Sequence, residues 1–125
     1  MFCAVSTTDC EVVKKIVSEC GGVYDDATTM HLLFILENEV SGCACAHFCS
    51  TDTVRISYVG LLERAKGKGF GDFLTRSMIN KVMDLATRVE VASTDDYFLK
   101  FGFKKAGCVM YALSKDIVFP SKCAH

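Results

Sequence analysis

The sequence predicts an α/β protein in which a mixed central sheet of six to seven strands carries about three helices. Short segments of alternating apolar residues predict the strands, and longer segments with apolar residues three and four positions apart predict helices. In the middle of the chain a strand, a glycine-rich loop, a helix and a second strand follow one another, and such a unit needs a crossover between parallel strands. The 125 residues, half of them apolar, suit one domain over residues 1–125.

The N-terminal half predicts a strand, a helix and a hairpin. Residues 1–5, "MFCAV", form a short apolar strand, and the pattern after it predicts a helix over residues 9–20. Two glycines end this helix, and the polar segment that follows is typical of a loop. Residues 31–49 predict two strands joined by a turn at residues 37–39, "ENE".

The C-terminal half supplies the rest of the sheet. Its predicted elements are a strand at 53–62, a helix from Phe73 to Ala86, a strand at 88–93, a short helix at 95–101 that Gly102 ends, and one or two closing strands over 103–115. The predicted order is therefore β-α-β-β-β-α-β-α-β-β, with the last strand optional.

Charge and hydropathy exclude several classes of protein. The formal net charge of −1 gives no reason to expect nucleic acid as a partner. No apolar run approaches the roughly 20 residues that cross a bilayer, so no membrane association is expected. The first residues lack the basic-then-apolar order of a signal peptide, and we expect a cytoplasmic protein.

Eight cysteines allow three interpretations. A disulfide scaffold is disfavoured, because no export signal is visible and the apolar content suffices for a core. Zinc is suggested by Cys43, Cys45, His47 and Cys49, but alternate residues of a strand lie about 6.6 Å apart and cannot converge on one ion without a sharp bend. We favour free cysteines that pack as small hydrophobic residues, and we expect no metal.

The segment "RAKGKGFGDFL", residues 64–74, places glycines at positions 67, 69 and 71. A strand that leads through such a loop into a helix is an anion-binding arrangement, because free amides converge there and the helix dipole adds positive charge. The spacing matches neither a Walker loop nor a dinucleotide fingerprint. A flexible surface turn is the alternative interpretation.

Two motifs resemble those of the GNAT superfamily of N-acetyltransferases. Residues 66–71, "KGKGFG", resemble the signature [Arg/Gln]-x-x-Gly-x-[Gly/Ala], with Lys66 in place of arginine or glutamine; a frame that begins at Arg64 also fits the letters. Residues 97–103, "YFLKFGF", resemble the later aromatic-aromatic-x-Lys-x-Gly-Phe pattern. The resemblance covers the central and C-terminal two-thirds, and it implies a GNAT-like single domain whose second N-terminal helix is reduced to residues 21–29.

This resemblance implies a binding site for acetyl-CoA as co-substrate. The amides from Gly67 to Asp72 would hold the pyrophosphate, and Lys66 and Lys68 would add charge or remain ordinary solvated cations. The strand edge at Val59, Gly60 and Leu61 would pair with the pantetheine arm, where Gly60 would serve either a bulge or close packing. The implied cofactor-binding residues are Val59, Gly60, Leu61, Lys66, Gly67, Lys68, Gly69, Phe70, Gly71, Asp72, Ser93 and Phe98; for Ser93 the alternative is a cap on the short helix.

Acetyl transfer to an amine needs a base and a proton donor for the leaving thiolate. Glu90 is the first choice of base, because it resembles a glutamate on the corresponding strand of acetyltransferases that act on protein N-termini; His47 is the second, since histidine titrates near neutrality. The family often uses a tyrosine as the acid in the position of Phe98, which cannot donate a proton. Tyr97, Tyr111, Ser93 or water remain as donors, with Tyr97 the first candidate.

Two functions follow from the resemblance. The first is an acyl-CoA-dependent N-acetyltransferase that moves an acetyl group to a primary amine by direct attack in a ternary complex. The second is a non-catalytic acyl-CoA-binding or sensor module, which Phe98 and the reduced N-terminal region favour. The acceptor is left open among peptide N-termini, lysines, polyamines, amino acids and other small amines. The tail "IVFPSKCAH", residues 117–125, could pack on a second copy in a homodimer.

Overall fold

Seven strands and two α-helices form the protein in the computed structural model, which describes residues 1–120. The strands are β1 (Phe2–Thr7), β2 (Met30–Leu36), β3 (Glu39–Phe48), β4 (Thr53–Leu61), β5 (Arg88–Val91), β6 (Lys104–Ala106) and β7 (Val109–Leu113). The helices are α1 (Cys10–Glu19) and α2 (Phe70–Met83), and within the described residues Glu63–Ala65, Asp96–Phe101 and Ser114–Asp116 form short 3-10 helices. The predicted order of elements is confirmed, and the predicted third helix is the 3-10 helix Asp96–Phe101.

The seven strands make one mixed sheet in the order β1-β2-β3-β4-β5-β7-β6. The pair β4 and β5 is parallel, and every other neighbouring pair is antiparallel. α2 is the crossover between the two parallel strands, as the strand, loop, helix and strand unit requires. The mixed sheet that the sequence predicts is therefore confirmed, with both closing strands present.

Each face of the sheet is covered by one helix. On the first face, buried residues of α2 such as Leu74, Met78 and Ile79 pack against apolar side chains of the sheet that include Phe34 and Val89. On the second face, three buried residues of α1 cover Leu33, Cys43 and Cys45; the three are Val13, Ile16 and Val17. Burial of this apolar surface is the main stabilising contribution to the fold. The sheet therefore lies between α2 on one face and α1 on the other.

Local signals set the ends of the N-terminal elements. Asp9 caps α1 by accepting a hydrogen bond from the Val12 amide at 3.3 Å. Glu37 and Asn38 have φ angles of +49° and +67°, as a two-residue hairpin turn between β2 and β3 requires. Residues 21–29 form no helix, so the expected reduction of the second N-terminal helix is confirmed.

The cysteines of residues 1–120 are all free, and Cys43 and Cys45 are buried in the core. In the same range no group of three or more histidine, cysteine or acidic side chains is arranged to hold a metal ion. No helix in the described part of the chain is long and apolar enough to cross a membrane. Residues 121–125 of the tail that could support a homodimer lie outside the described residues.

Candidate functional site

The parallel strands β4 and β5 part halfway along β4. They pair from Thr53 and Arg88 as far as Ile56 and Val91, where β5 ends, whereas β4 continues to Leu61 beside β3. The β3–β4 register shifts at this point, because Cys45 faces Tyr58 and the next residue of β3 faces Ile56. Ser57 is thus the extra residue of a β-bulge, and a bulge bends its strand and increases the local twist. The far half of β4 therefore presents an open edge.

A cavity of about 590 Å³ occupies the gap between the parted strands. Residues 56–61 of β4 form one wall, and Val91, Ala92 and Ser93 form the wall opposite. The floor and ends come from Lys66, Gly71, Asp72, Thr75, Tyr97, Phe98 and Cys20. This volume lies within the range of ordinary ligand sites, about 300–1,000 Å³. We call it the larger cavity.

The glycine loop leads into the first turn of α2 at one end of the larger cavity. Gly67 and Gly69 have φ angles of +79° and +82°, which only glycine adopts readily. The helix begins at Phe70, three residues before its predicted start, so Gly71 belongs to the first turn. The first intrahelical bond recorded at this end runs from the Phe73 amide to the Gly69 carbonyl at 3.2 Å. Amides that precede Phe73 in this turn therefore have no acceptor within the helix, which suits an anion.

Of the predicted loop residues, Lys66, Gly71 and Asp72 line the larger cavity, and Gly67, Lys68 and Gly69 are exposed between them. The Lys66 ammonium lies 3.2 Å from the Glu63 carboxylate in an exposed ion pair, which contributes little to stability. The Phe70 ring packs against Phe2 and Phe34 at centroid distances of 4.9 and 5.0 Å. Only the backbone of Phe70 can therefore contribute to a ligand site at the loop.

Asp72 holds a small charged cluster at the same end of the larger cavity. Its carboxylate accepts hydrogen bonds from the Tyr97 hydroxyl and from Arg76 Nε at 2.8 Å, and Lys100 Nζ lies 3.5 Å away. Burial by itself would raise the pKa of the Asp72 carboxyl, but these two hydrogen bonds and the charges of Arg76 and Lys100 outweigh burial and lower that pKa to about 2. The carboxylate is thus ionised and locally compensated.

The later motif lies beside this cluster. Burial, followed by the hydrogen bond to Asp72, raises the pKa of the Tyr97 hydroxyl, and this geometry does not favour Tyr97 as the proton donor because its proton is already directed at a carboxylate. Phe98 lines the larger cavity with its apolar ring. Ser93 also lines it, and Ser93 Oγ accepts the Asp95 amide at 3.1 Å. The cap of the short helix is Asp95 itself, so Ser93 does not have that alternative role.

Tyr58 is one of the residues of this site that the sequence did not reveal. A Cβ added to Gly60 would overlap the Tyr58 hydroxyl, and one added to Gly22 would lie 2.5 Å from Tyr58 Cε1. Gly60 stays in register with Cys43, so the expected bulge at Gly60 is wrong, and close packing against Tyr58 is the alternative that holds. Burial, with a contribution from the nearby Cys20 thiol, raises the pKa of the Tyr58 hydroxyl to about 12. The hydroxyl therefore keeps its proton at neutral pH.

A second cavity, of about 260 Å³, lies on the α1 side of the sheet. Its lining comes from Val17 of α1, from residues 23–25, from Cys45 and His47 of β3, and from Arg55 of β4. Ser57, Tyr58 and Ala92 complete it, and the same three residues line the larger cavity. We call this second space the smaller cavity. The two cavities therefore border the same three residues, close to the point where β4 and β5 part.

The two candidate bases occupy different surroundings. Glu90 lies on β5, directly opposite Arg55 on β4, and the Glu90 carboxylate is 2.7 Å from Arg55 Nη2 and 3.3 Å from Arg88 Nη2. It lines neither cavity, and two guanidinium groups hold it, which does not favour Glu90 as a base. His47 lines the smaller cavity, and its Nδ1 is buried without a hydrogen-bond partner in residues 1–120. Tyr111, a further candidate donor, packs under Arg88 at 3.9 Å instead.

Comparison with known proteins identifies the fold. No protein-family model and no curated protein sequence matches the chain. A GNAT family acetyltransferase from Brucella melitensis, solved in complex with acetyl-CoA, is similar at a TM-score of 0.74 and 14% identity, over 90% of this chain and 88% of that one. Ard1 from Thermoplasma volcanium is similar at a TM-score of 0.68 and 15% identity, over 90% and 97% of the two chains.

A third similar structure is N-acetylglutamate synthase from Neisseria gonorrhoeae, complexed with coenzyme A and L-arginine. Its TM-score is 0.69 at 14% identity, and the match covers 90% of this chain and 33% of that one. These likenesses show that the chain has the GNAT acetyltransferase fold, which confirms the fold that the two motifs predict. At 14–15% identity these similarities show the fold and not the role of any individual residue.

Proposed function

We propose that the protein is an acyl-CoA-dependent N-acetyltransferase that binds acetyl-CoA in the larger cavity and a primary amine in the smaller one. The observation that carries this proposal is that Ser57, Tyr58 and Ala92 line both cavities. A thioester in the gap between the parted strands would face an amine that enters from the α1 side. Two of the similar structures hold acetyl-CoA or coenzyme A, which supports the same co-substrate here.

The residues of the larger cavity fit acetyl-CoA. The glycine loop offers amides to a pyrophosphate, with Gly67 and Gly69 in the left-handed region and without side chains that would crowd phosphate oxygens. The open edge of β4 from Val59 to Leu61 can pair with the amides of a pantetheine arm as an added strand does. Lys66, Ser93 and Phe98 complete the proposed cofactor site.

The reaction we propose is direct transfer. The amine nitrogen attacks the thioester carbonyl carbon, the carbon–sulfur bond breaks, and coenzyme A leaves as a thiolate that takes up a proton. His47, in the smaller cavity, is the proposed base that removes the proton from the amine. Tyr58, which lines both cavities, is the proposed donor in place of the missing tyrosine at Phe98.

Binding of acetyl-CoA tests the proposal. Acetyl-CoA at 100 times its Kd should raise the free energy of unfolding by about 2.7 kcal/mol, which corresponds to about 10 °C in Tm for a chain of this size. Gly69→Glu should abolish the shift, because its side chain would crowd and repel the pyrophosphate. Gly107→Glu is the matched control, since Gly107 is also in the left-handed region, at φ +67°, but lies in the β6–β7 turn.

Turnover is measured as release of coenzyme A with a panel of primary amines, separated by chromatography because the free cysteines would react with thiol reagents. Release with at least one amine supports the enzyme. Binding without release from any amine would favour the sensor module, which Phe98 also favours. Equal binding by Gly69→Glu and the parent protein would exclude the glycine loop as the pyrophosphate site.

A further inference from the structure

The smaller cavity carries fixed charges of both signs. Arg55 reaches it from β4, and Asp25 reaches it from the loop after α1. A polyamine would meet the Arg55 guanidinium in this space, and like charges in a partly enclosed site repel. A molecule that carries an anionic group would meet the opposite charge of Arg55 in this space.

The Arg55 guanidinium is only partly used within the described chain. Its Nε and Nη2 donate to Glu90 Oε1 at 3.0 and 2.7 Å, whereas its Nη1 has no hydrogen-bond partner in residues 1–120. Arg88 donates from Nε to the other Glu90 oxygen at 3.3 Å. Two guanidinium groups therefore share one carboxylate, which leaves one net positive charge. Three of the five N–H donors of Arg55, both of those on Nη1 among them, have no partner within residues 1–120.

This arrangement gives Arg55 a fixed orientation. The Glu90 side chain is 13% exposed and that of Arg55 is 36% exposed, so the carboxylate holds the guanidinium from the protein side while part of Arg55 stays accessible. A held guanidinium is a strong partner for a carboxylate, because its donors are planar and already oriented. Glu90 thus has a positioning role that its place on β5 did not reveal.

We propose that Arg55 binds the carboxylate of a free amino-acid acceptor in the smaller cavity. The inference rests on the proposed acetyl transfer and names the class of acceptor for the same site. The cavity of about 260 Å³ is smaller than ordinary sites for drug-sized ligands, which suits a single amino acid rather than a longer chain. The amino group of such an acceptor would point to the residues that line both cavities, Tyr58 among them, with His47 close by in the smaller cavity.

The test measures coenzyme A release with each of the twenty amino acids. Every amino acid that is accepted is then compared with its α-amide and with a dipeptide in which it is the first residue. The free acid should exceed the amide in kcat/KM by about tenfold or more, since a charge-assisted pair is lost in the amide. Arg55→Gln should lower kcat/KM for the acid about tenfold and change that for the amide less than twofold. Arg55→Gln leaves the Glu90 carboxylate paired with Arg88, and thermal unfolding of this variant separates loss of recognition from loss of fold.

The outcomes distinguish the two proposals. Acetyl-CoA binding and turnover of amides, peptides or polyamines without preference for a free carboxylate would overturn the role of Arg55 and leave the acetyltransferase intact. An acid preference that survives in Arg55→Gln would also overturn it. No binding of acetyl-CoA, or no release with any amine, would overturn the acetyltransferase and the acceptor class together.

Discussion

Tyr58 shows how much one side chain of this site depends on its neighbours. Its ring occupies space that a Cβ atom would fill at Gly22, after α1, and at Gly60, on its own strand. It lines both cavities, and burial raises the pKa of its hydroxyl to about 12. The sequence places Tyr58 within a strand but does not indicate that the neighbouring strand ends beside it, so the residue could not be recognised as part of a site.

Tyr58→Phe tests the proposed proton donor. The substitution keeps the ring and removes the hydroxyl, so kcat should fall about 100-fold while the Kd for acetyl-CoA changes less than twofold. Steady-state kinetics and calorimetric titration measure the two quantities. An unchanged kcat would exclude the hydroxyl as donor, and Tyr111→Phe, at a position that lines neither cavity, serves as the control.

Asp72 makes a prediction about stability and pH. Its pKa of about 2 in the folded protein lies below the ordinary value of 3.8, so its contribution to stability is present above about pH 4 and is lost as the pH falls through 2. The difference corresponds to about 2 kcal/mol at neutral pH. Asp72→Asn should therefore lower the free energy of unfolding by about that amount at pH 7 and by much less at pH 2.

Urea unfolding of both proteins between pH 7 and pH 2 measures this difference. Asp26→Asn, at an exposed position, is the control and should change the free energy of unfolding at pH 7 by less than about 0.5 kcal/mol. A penalty for Asp72→Asn that stays constant down to pH 2 would show that the stabilisation does not come from the ionised carboxylate.

The glycine loop is the element that the sequence predicts best, because its chemistry lies in consecutive residues. Its three glycines nevertheless differ. Gly67 and Gly69 are in the left-handed region, whereas Gly71 is helical and lines the larger cavity. A Cβ on Gly71 would meet Leu61 Cδ1 at 3.7 Å, an ordinary contact. The absence of a side chain at Gly71 is therefore not required by the fold.

Two alanine variants should separate these roles. Gly71→Ala should leave the free energy of unfolding unchanged or raise it by up to about 1 kcal/mol, because alanine favours the helix, and it should weaken acetyl-CoA binding by crowding the pyrophosphate. Gly67→Ala should lower the free energy of unfolding by about 1–2 kcal/mol through its left-handed backbone. Chemical denaturation and calorimetry measure both effects. Full affinity in Gly71→Ala would contradict the proposed position of the pyrophosphate.

The parting of β4 and β5 is the element-scale feature that the resemblance implies only indirectly, through the strand edge at Val59, Gly60 and Leu61 that would pair with a pantetheine arm. The bulge falls at Ser57, which has no glycine or proline to mark it, while the glycine nearby at position 60 only makes room for a ring. A register shift depends on how two strands pair, and no residue of one strand specifies it alone. Single sequence motifs therefore do not predict the two cavities that lie beside this register shift.

At the scale of the whole molecule, the sequence predicts the order of the secondary-structure elements along the chain. It does not predict which residues far apart in the sequence contact one another. The alternation of side chains along a strand predicts that Glu90 faces the opposite side of the sheet from Val89 and Val91, which are buried. It could not supply the neighbours of Glu90, since Arg55 lies 35 residues earlier and reaches it only through the parallel pairing. His47, by contrast, is a candidate base on the ground of its residue type alone, and the fold places it in the wall of the smaller cavity. The fold and the glycine loop can thus be predicted from consecutive residues, whereas the lining of the smaller cavity depends on how distant strands pair.

The shared aromatic wall has an energetic consequence. Because Tyr58 lines both cavities, a thioester in the larger cavity and an amine in the smaller one would contact the same side chain. Thermodynamic linkage then obliges each ligand to alter the affinity of its companion by an identical factor. A two-ligand titration would therefore reveal synergy or antagonism between thioester and amine, transmitted through a single phenol.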